Sequence, residues 1–266
     1  PEKLVRDFAS KVDELVVVEE LDPFLEEQIR LMGVRVSHGK DWFPLVGELD
    51  PVFVAERLTG TAAKKNAPAQ GLPVRPPVLC PGCSHRGLFA ILRKLKVFVS
   101  GDIGCYTLGA LPPLESMHTC ICMGASIPVA HGIAAVTGKT EDRKNQVVAV
   151  IGDSTFFHSG VTGLIDMIWN DGNAVVVIQD NRITAMTGGQ ENPGSGHTLA
   201  GVASPQIDIG KLVVSLGVKP GNVRVVDSYN LEEIERVLTE ELDKPSPSVV
   251  LTRDPCVLQF RVKKPP

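Results

Sequence analysis

Two short polar segments carry the residue types that a divalent cation and a phosphate group need. Gly152-Asp153-Ser154 follows the apolar run 147–151, and Gln179-Asp180-Asn181 follows the apolar run 174–178. Asp153 offers a carboxylate oxygen, Asn181 an amide oxygen, and a backbone carbonyl just after Asn181 a third ligand, which suits Mg²⁺. Gly152 allows close approach of the backbone to a diphosphate. The competing interpretation is that Asp153 caps a helix and Asn181 is a turn residue.

The cysteines offer a second kind of chemistry. Cys80 and Cys83 form a close pair with a turn between them, and Cys105 and Cys256 could complete a set of four. Thiolates two residues apart can bind one zinc ion or one iron–sulfur cluster. The residues alone leave open a zinc site with Cys80, Cys83 and either His85 or Cys105, and also leave open unligated buried thiols. We interpret Cys120 and Cys122 as structural.

The elements that must position these groups alternate from residue 78 onward. Strands are predicted over 97–102, 146–153, 174–181, 223–227 and 248–255. Helices are predicted over 84–95, 124–138, 161–172, 208–217 and 231–242. Such alternation is typical of an α/β fold, a parallel sheet with helices on both faces, whose ligands bind at the carboxyl ends of the strands. The long Gly/Pro/Thr-rich stretch 181–207 is predicted to be a functional loop.

The first part of the chain has a different organisation. Residues 1–59 predict a helix over 2–12, a strand over 15–20 buried on both sides, and a helix capped by Asp22 with Pro23 at its first position. This pattern indicates the tail of an α/β domain whose earlier strands lie outside the chain. Residues 60–78 are rich in Ala, Gly, Pro and Lys and predict an extended linker. Residues 79–266 then form the second domain.

Composition excludes several classes of function. The 266 residues are 43% apolar and 22% charged, which is typical of a folded globular chain. The net charge of −4, without a basic stripe, excludes a nucleic-acid partner. The sequence has no apolar run of ~18 residues, the length needed for a membrane span, and no signal peptide is evident. We therefore expect a cytoplasmic protein. Gly138-Lys139-Thr140 is similar to a P-loop, but its distance from Gly132 is wrong for ATP binding.

Five sequence features together carry a family resemblance. The Gly-Asp-Ser segment is followed by Asn181 28 residues after Asp153, with a helix and a strand between them, which resembles the thiamine-diphosphate-binding motif. MTGGQ (186–190) after that Asn resembles the 2-oxoacid:ferredoxin oxidoreductases. CPGCSHR (80–86), GDIGCYTLG (101–109) and CMGASI (122–127) narrow the likeness to the alpha subunit of indolepyruvate ferredoxin oxidoreductases. The resemblance covers roughly residues 75–260, and residues 1–50 resemble the end of a transketolase-C-terminal-like domain.

The resemblance implies a thiamine-diphosphate-binding fold and a set of cofactor contacts. Mg²⁺ would be held by Asp153, Asn181 and the backbone carbonyl of Ile183. The diphosphate would contact Gly152, Ser154 and Thr187, with Ser154 standing where Gly is commoner. The thiazolium side would be lined by Gly104, Cys105, Tyr106, Met123 and Gly124.

The resemblance also implies a redox centre. In related beta subunits a CxxC pair, a third Cys and a late Pro-Cys hold a [4Fe–4S] cluster close to the thiamine. The counterparts here are Cys80, Cys83, Cys105 and Cys256.

The implied activity is oxidative decarboxylation of an arylpyruvate such as indolepyruvate to an acyl-CoA, with electrons passed to ferredoxin. CoA, ferredoxin and a beta subunit in a hetero-oligomer are the implied partners. The Glu that activates the cofactor would lie in a pyrimidine-binding domain missing here, so we expect the chain to be inactive alone. Two alternatives remain: a non-oxidative thiamine-dependent 2-oxoacid decarboxylase, and a non-catalytic, metal-clipped interaction module.

Overall fold

The chain divides into two compact units, Pro1–Val74 and Arg75–Pro266. The computed structural model describes residues 1–62, 71–137 and 146–259. The P-loop-like Gly138-Lys139-Thr140 lies outside the described residues, as does part of the predicted linker. The described linker residues 71–78 form neither helix nor strand.

The N-terminal unit has three helices in its described residues: α1 (Glu2–Ala9), α2 (Phe24–Leu31) and α3 (Pro51–Thr59). The strand predicted at 15–20 is wrong, because that run makes only a single parallel bridge, between Val16 and His38. Leu15 and Val17 are buried in a small core, whereas Val18 is 41% exposed. The prediction failed because, in a segment as short as 15–20, the sequence pattern does not distinguish a strand buried on both faces from a segment buried on one side.

The start of α2 also differs from the prediction. Pro23 precedes the helix, and no side chain of the expected cap accepts a hydrogen bond. Instead the Glu19 carboxylate accepts from the backbone N–H groups of Leu25, at 2.7 Å, and Glu26, at 3.0 Å. Glu19 thus satisfies two N–H groups that a helix start leaves without partners. Asp22 was the wrong cap because a longer side chain, folded back from three residues earlier, reaches the same N–H groups.

A six-stranded sheet forms the centre of the second unit, counted over its described residues. The strands are β1 (Phe98–Gly101), β2 (Thr119–Cys120), β3 (Val147–Gly152), β4 (Val175–Asp180), β5 (Val223–Val226) and β6 (Ser248–Arg253). Their order is β2-β1-β3-β4-β6-β5, and every pairing is parallel. All residues of β3 and β4 are buried, as expected for Val- and Ile-rich strands covered on both faces.

Helices cover both faces of this sheet, as predicted. They are α4 (His85–Leu95), α5 (Ser126–Thr137), α6 (Asp153–Thr155), α7 (Val161–Trp169), α8 (Ile209–Ser215) and α9 (Leu231–Leu242). One core contains Leu88 of α4 and Ile234 of α9, and the opposite core contains Leu164 of α7 and Val213 of α8. A π-helical turn, Phe156–Gly160, joins α6 to α7 and was not predicted. No helix among the described residues has the length and apolar character to span a membrane.

The topology brings the two polar segments together. β3 and β4 are neighbours, and Gly152 pairs with Gln179 in the last step of their register. The residues that follow each strand therefore leave the sheet side by side at its carboxyl edge, where α/β sheets bind ligands.

Candidate cofactor-binding site

A cavity of about 120 Å³ lies at the carboxyl ends of β3 and β4. Every predicted cofactor contact except Gly124 lines it. These residues are Gly104, Cys105, Tyr106, Met123, Gly152, Asp153, Ser154, Asn181, Ile183 and Thr187. The sheet topology thus gathers residues that are up to 83 positions apart in the sequence into one lining.

Asp153 is the buried acidic group of this cavity. Its Oδ1 accepts from the backbone N–H of Ser154 at 2.7 Å, and its Oδ2 accepts from Nδ2 of Asn192 at 3.2 Å. Burial, together with the nearby negative charge of Asp180, raises the pKa of Asp153 from 3.8 to about 7. A bound cation would offset both effects by stabilising the carboxylate.

Asn181 links the cavity to its surroundings through three contacts. Its Nδ2 lies 3.3 Å from Nε2 of His85, its Oδ1 accepts from the backbone N–H of Ile183 at 3.2 Å, and its carbonyl accepts from the N–H of Cys256 at 3.1 Å. Burial lowers the pKa of His85 to about 4, so the ring is neutral at pH 7. A neutral ring can accept the amide N–H, which fixes the orientation of the Asn181 side chain.

Hydroxyl groups line the side of the cavity formed by the loop after β4. Oγ of Ser154 and Oγ1 of Thr184 lie 2.5 Å apart. Thr187 donates to Oε1 of Gln190 at 2.5 Å, and the loop closes through the N–H of Thr184 donating to the carbonyl of Gln190 at 2.9 Å. Hydroxyls next to a buried carboxylate are suitable donors to phosphate oxygens.

Two glycines make room for Tyr106 at the base of the cavity. A Cβ at Gly104 would lie 2.4 Å from the Tyr106 ring, and one at Gly152 would lie 2.6 Å from it. The Tyr106 hydroxyl donates to the carbonyl of Ile103 at 2.8 Å. Burial raises the pKa of Tyr106, so the phenol stays protonated. Both glycines are needed for packing as well as for approach of a ligand.

Asp102 is a positioning residue that sequence reasoning did not single out. Its buried carboxylate accepts from the backbone N–H groups of Gly124, at 2.8 Å, and Ser126, at 2.9 Å. Asp102 thus holds the backbone of Gly124, whose neighbour Met123 lines the cavity. The only sequence signal was the place of Asp102 at the end of a strand.

Replacing Asp102 with Asn is expected to destabilise the second unit by about 2–3 kcal/mol, because an amide N–H₂ would face backbone donors in a buried place. Urea unfolding measures the change. Asp208→Asn is the matched control, since the partly exposed Asp208 also accepts a backbone N–H, from Lys211, and Asn caps a helix equally well. An Asp102→Asn protein as stable as the control would contradict this role.

Asp180 is buried beside the cavity but does not line it. Its Oδ2 accepts from Nε of Arg253 at 2.8 Å, and Nε of Arg182 lies 3.3 Å from its Oδ1. Strand alternation explains this placement, since Asp180 points to the side of the sheet opposite to Gln179. The two arginines hold a carboxylate whose charge nevertheless reaches Asp153.

The four predicted cluster cysteines share a second cavity, of about 240 Å³. Its lining includes Cys80, Cys83, Cys105 and Cys256. His85, Cys105 and Asn181 line both cavities, which are therefore adjacent. Cys120 and Cys122 lie outside this lining and are exposed.

Two thiols of this second cavity, those of Cys83 and Cys105, are protonated at pH 7 in the metal-free chain. Burial raises the pKa of Cys83 to about 11 and also raises that of Cys105. The backbone N–H of His85 donates to the Cys83 sulfur, which lowers that pKa in part. Within residues 1–62, 71–137 and 146–259, no three or more His, Cys, Asp or Glu side chains are grouped to hold a metal ion. The four thiols thus line one cavity, but in the described residues they are not arranged as the ligands of a single metal ion.

Comparison with known proteins defines the class. The family model described as "Thiamine pyrophosphate enzyme, C-terminal TPP binding domain" matches residues 102–251. The chain belongs to the thiamine pyrophosphate enzymes and carries their C-terminal cofactor-binding domain.

The chain is also similar to particular members of that class. It is 38% identical to the indolepyruvate oxidoreductase subunit IorA of Archaeoglobus fulgidus and 37% identical to that of Pyrococcus horikoshii, in each case over 97% of this chain. The resemblance predicted from the motifs is confirmed. The chain spans 43% and 44% of the length of these two relatives.

Two further likenesses are more distant. The chain is 24% identical to subunit beta of the 2-oxoacid:ferredoxin oxidoreductase 1 of Aeropyrum pernix, over 67% of this chain and 58% of that protein. A solved 2-oxoglutarate:ferredoxin oxidoreductase from Magnetococcus marinus matches 68% of this chain and 65% of its own, with a TM-score of 0.58 and 20% identity. That match confirms the predicted fold class.

Proposed function

We propose that the chain binds thiamine diphosphate through Mg²⁺ at the carboxyl ends of β3 and β4. One observation carries the proposal: Asp153 and Asn181 are both buried and line one cavity at the ends of neighbouring parallel strands. The donor set fits the group, because carboxylate, amide and carbonyl oxygens suit Mg²⁺ and hydroxyls suit a diphosphate. Asp153, Asn181 and the carbonyl of Ile183 would hold the metal.

The chemistry divides between cofactor and protein. When bound, thiamine diphosphate supplies a nucleophilic carbon for the 2-oxoacid carbonyl and an electron sink after loss of CO₂. The residues of this chain would orient the cofactor and enclose it. Ser154 and Thr187 would bind the diphosphate, whereas Tyr106 and Met123, in the lining with Gly104 and Cys105, exclude water from the ring side. We expect the activating Glu to come from a different domain of the enzyme.

The activity that we propose is that of the complete enzyme. A 2-oxoacid and CoA are converted to an acyl-CoA, CO₂ and one proton, and two electrons pass to ferredoxin. The likeness to IorA proteins favours indolepyruvate or another arylpyruvate as the substrate. A beta subunit and a hetero-oligomer belong to the same proposal, as does a cytoplasmic location.

A [4Fe–4S] cluster at Cys80, Cys83, Cys105 and Cys256 is the second part of the proposal. The cavity lined by these thiols adjoins the cofactor cavity, which suits the passage of electrons away from the thiamine. Four Cys thiolates are the usual ligands of a [4Fe–4S] cluster. The observation that supports the proposal is that these four thiols line one cavity.

Calorimetry on the full 266-residue chain tests the first part. Thiamine diphosphate is expected to bind in the presence of Mg²⁺ and to bind at least about 100-fold more weakly when EDTA removes the metal, because the buried carboxylate and the diphosphate would then repel each other. Thiamine without phosphate is the matched control and should not respond to Mg²⁺. A chain that binds no thiamine diphosphate would be the non-catalytic module.

The two catalytic alternatives differ in product and in their need for a cluster. In the enzyme assembled with its partner subunits, the oxidative reaction should give acyl-CoA and reduced ferredoxin. It should stop when the cluster cysteines are replaced. Release of an aldehyde that survives the loss of these cysteines would show a non-oxidative decarboxylase.

A further inference from the structure

Gln179 is a fully buried polar residue whose side chain has no partner in the protein. Neither Oε1 nor Nε2 of its carboxamide makes a hydrogen bond, although the residue lines the cofactor cavity. Buried amides are nearly always satisfied, because an unpaired donor or acceptor keeps the full penalty of leaving water. An unpaired carboxamide in the wall of a ligand cavity therefore points to a contact that the ligand completes.

The position of Gln179 in the sheet shows which end of the ligand it would meet. Gln179 pairs with Gly152, the residue immediately before Asp153, and precedes Asn181 by two residues. Gln179, Asp153 and Asn181 also line the same cavity. Gln179 is thus a neighbour, in register or in sequence, of both proposed magnesium ligands, and we infer that it meets the diphosphate end of the ligand.

The neighbour on the other side provides a contrast. Thr252 of β6 pairs with Gln179, and its hydroxyl is likewise buried without a partner. Thr252 does not line the cavity. The two residues share the same register position and the same unmet hydrogen bonding, but only Gln179 can reach a ligand.

We propose that Gln179 is a binding residue for the diphosphate–magnesium end of the cofactor, an inference that rests on the proposed function. Its Nε2 donates to a diphosphate oxygen, and its Oε1 accepts from a water molecule that Mg²⁺ retains. A neutral amide suits this place, because Asp153 already supplies a buried carboxylate to the lining of the cavity. Mg²⁺ commonly keeps several waters when it binds through one or two carboxylates and substrate phosphates.

The test compares Gln179→Met and Thr252→Val with the unchanged chain. Met has nearly the size of Gln but lacks its polar atoms, and Val has the shape of Thr without the hydroxyl. Gln179→Met is expected to raise the Kd of thiamine diphosphate with Mg²⁺ at least about tenfold in calorimetry. The melting temperature of the ligand-free Gln179→Met protein should equal or exceed that of the unchanged chain. Thr252→Val should share this thermal behaviour and bind the cofactor as the unchanged chain does.

The possible results separate this inference from the proposed function. If the unchanged chain binds thiamine diphosphate and Gln179→Met binds it within twofold, the inference is overturned and the proposed function stands. If the unchanged chain does not bind it, both fall. If Gln179→Met does not fold, Gln179→Glu takes its place. There a carboxylate facing the diphosphate should weaken binding at least about tenfold, and binding within twofold of the unchanged chain would again overturn the inference.

Discussion

Replacing Asp153 with Asn is expected to abolish magnesium-dependent binding of thiamine diphosphate and, in the same protein, to stabilise the ligand-free chain. The affinity should fall at least about 100-fold, because the charged metal ligand is lost. The ligand-free variant should be more stable at pH 8 by roughly 2–4 kcal/mol, because the unchanged chain must keep a buried carboxylate ionised there. Calorimetry and urea unfolding measure the two effects.

The stability effect has a defined dependence on pH. The pKa of Asp153 rises from 3.8 to about 7 on folding, so the folded chain binds the proton more tightly than the unfolded chain. The contribution of this proton to stability is complete below pH 4 and is lost as the pH rises through 7. The unchanged chain and Asp153→Asn should therefore be equally stable at low pH and diverge between pH 4 and 7.

Asp208→Asn is the matched control for this pH profile. The backbone N–H of Lys211 lowers the pKa of Asp208, so its charge is favoured in the folded chain and its removal brings no gain at pH 8. An Asp153→Asn protein that retains magnesium-dependent binding, or that is less stable than the unchanged chain at pH 8, would contradict the assignment of Asp153 as a buried metal ligand.

Replacing Cys83 with Ser is expected to remove the iron–sulfur cluster. After anaerobic reconstitution the unchanged chain should be brown and contain about four irons, whereas Cys83→Ser should lose most of its iron and its visible absorption. Cys83 is the best position for this substitution, because its thiol is more buried than that of Cys105, the other cluster cysteine with a raised pKa. It also interacts electrostatically with the other three cluster cysteines.

Cys122→Ser is the control for the cluster experiment, since Cys122 is exposed and lies outside the cluster cavity. It should keep iron and colour. Reconstitution should also release protons, because the thiols of Cys83 and Cys105 are protonated at pH 7 before they bind iron. A colourless protein containing zinc, or a Cys83→Ser protein with undiminished iron, would contradict the proposed cluster.

The sheet was predictable because its signal is local. The runs 147–151 and 174–178 are continuously apolar and end in polar residues, so both the strands and the position of Asp153 and Asn181 followed from them. The run at 15–20 begins with four similar apolar residues, but it has no partner strand in the described part of its unit. Whether a segment has a strand to pair with depends on the rest of the fold, so it cannot be read from the six residues themselves.

Within the site, only the residues that belong to a recognisable sequence motif could be predicted. Asp102 acts through the backbone of Gly124 and Ser126, more than twenty residues away, and nothing in the sequence joins them. Gln179 looked like the polar end of a strand, and its importance depends on which face of the sheet opens into a cavity. Contacts between distant segments decided both cases.

A crystal structure of the chain with thiamine diphosphate and Mn²⁺, used in place of Mg²⁺ for its anomalous scattering, tests the central claim most directly. For crystals of the iron-free chain, the account predicts one strong manganese anomalous peak at coordination distance from the Asp153 carboxylate, the Asn181 amide oxygen and the Ile183 carbonyl, next to the diphosphate. A peak elsewhere, or a diphosphate bound away from these three residues, would contradict it.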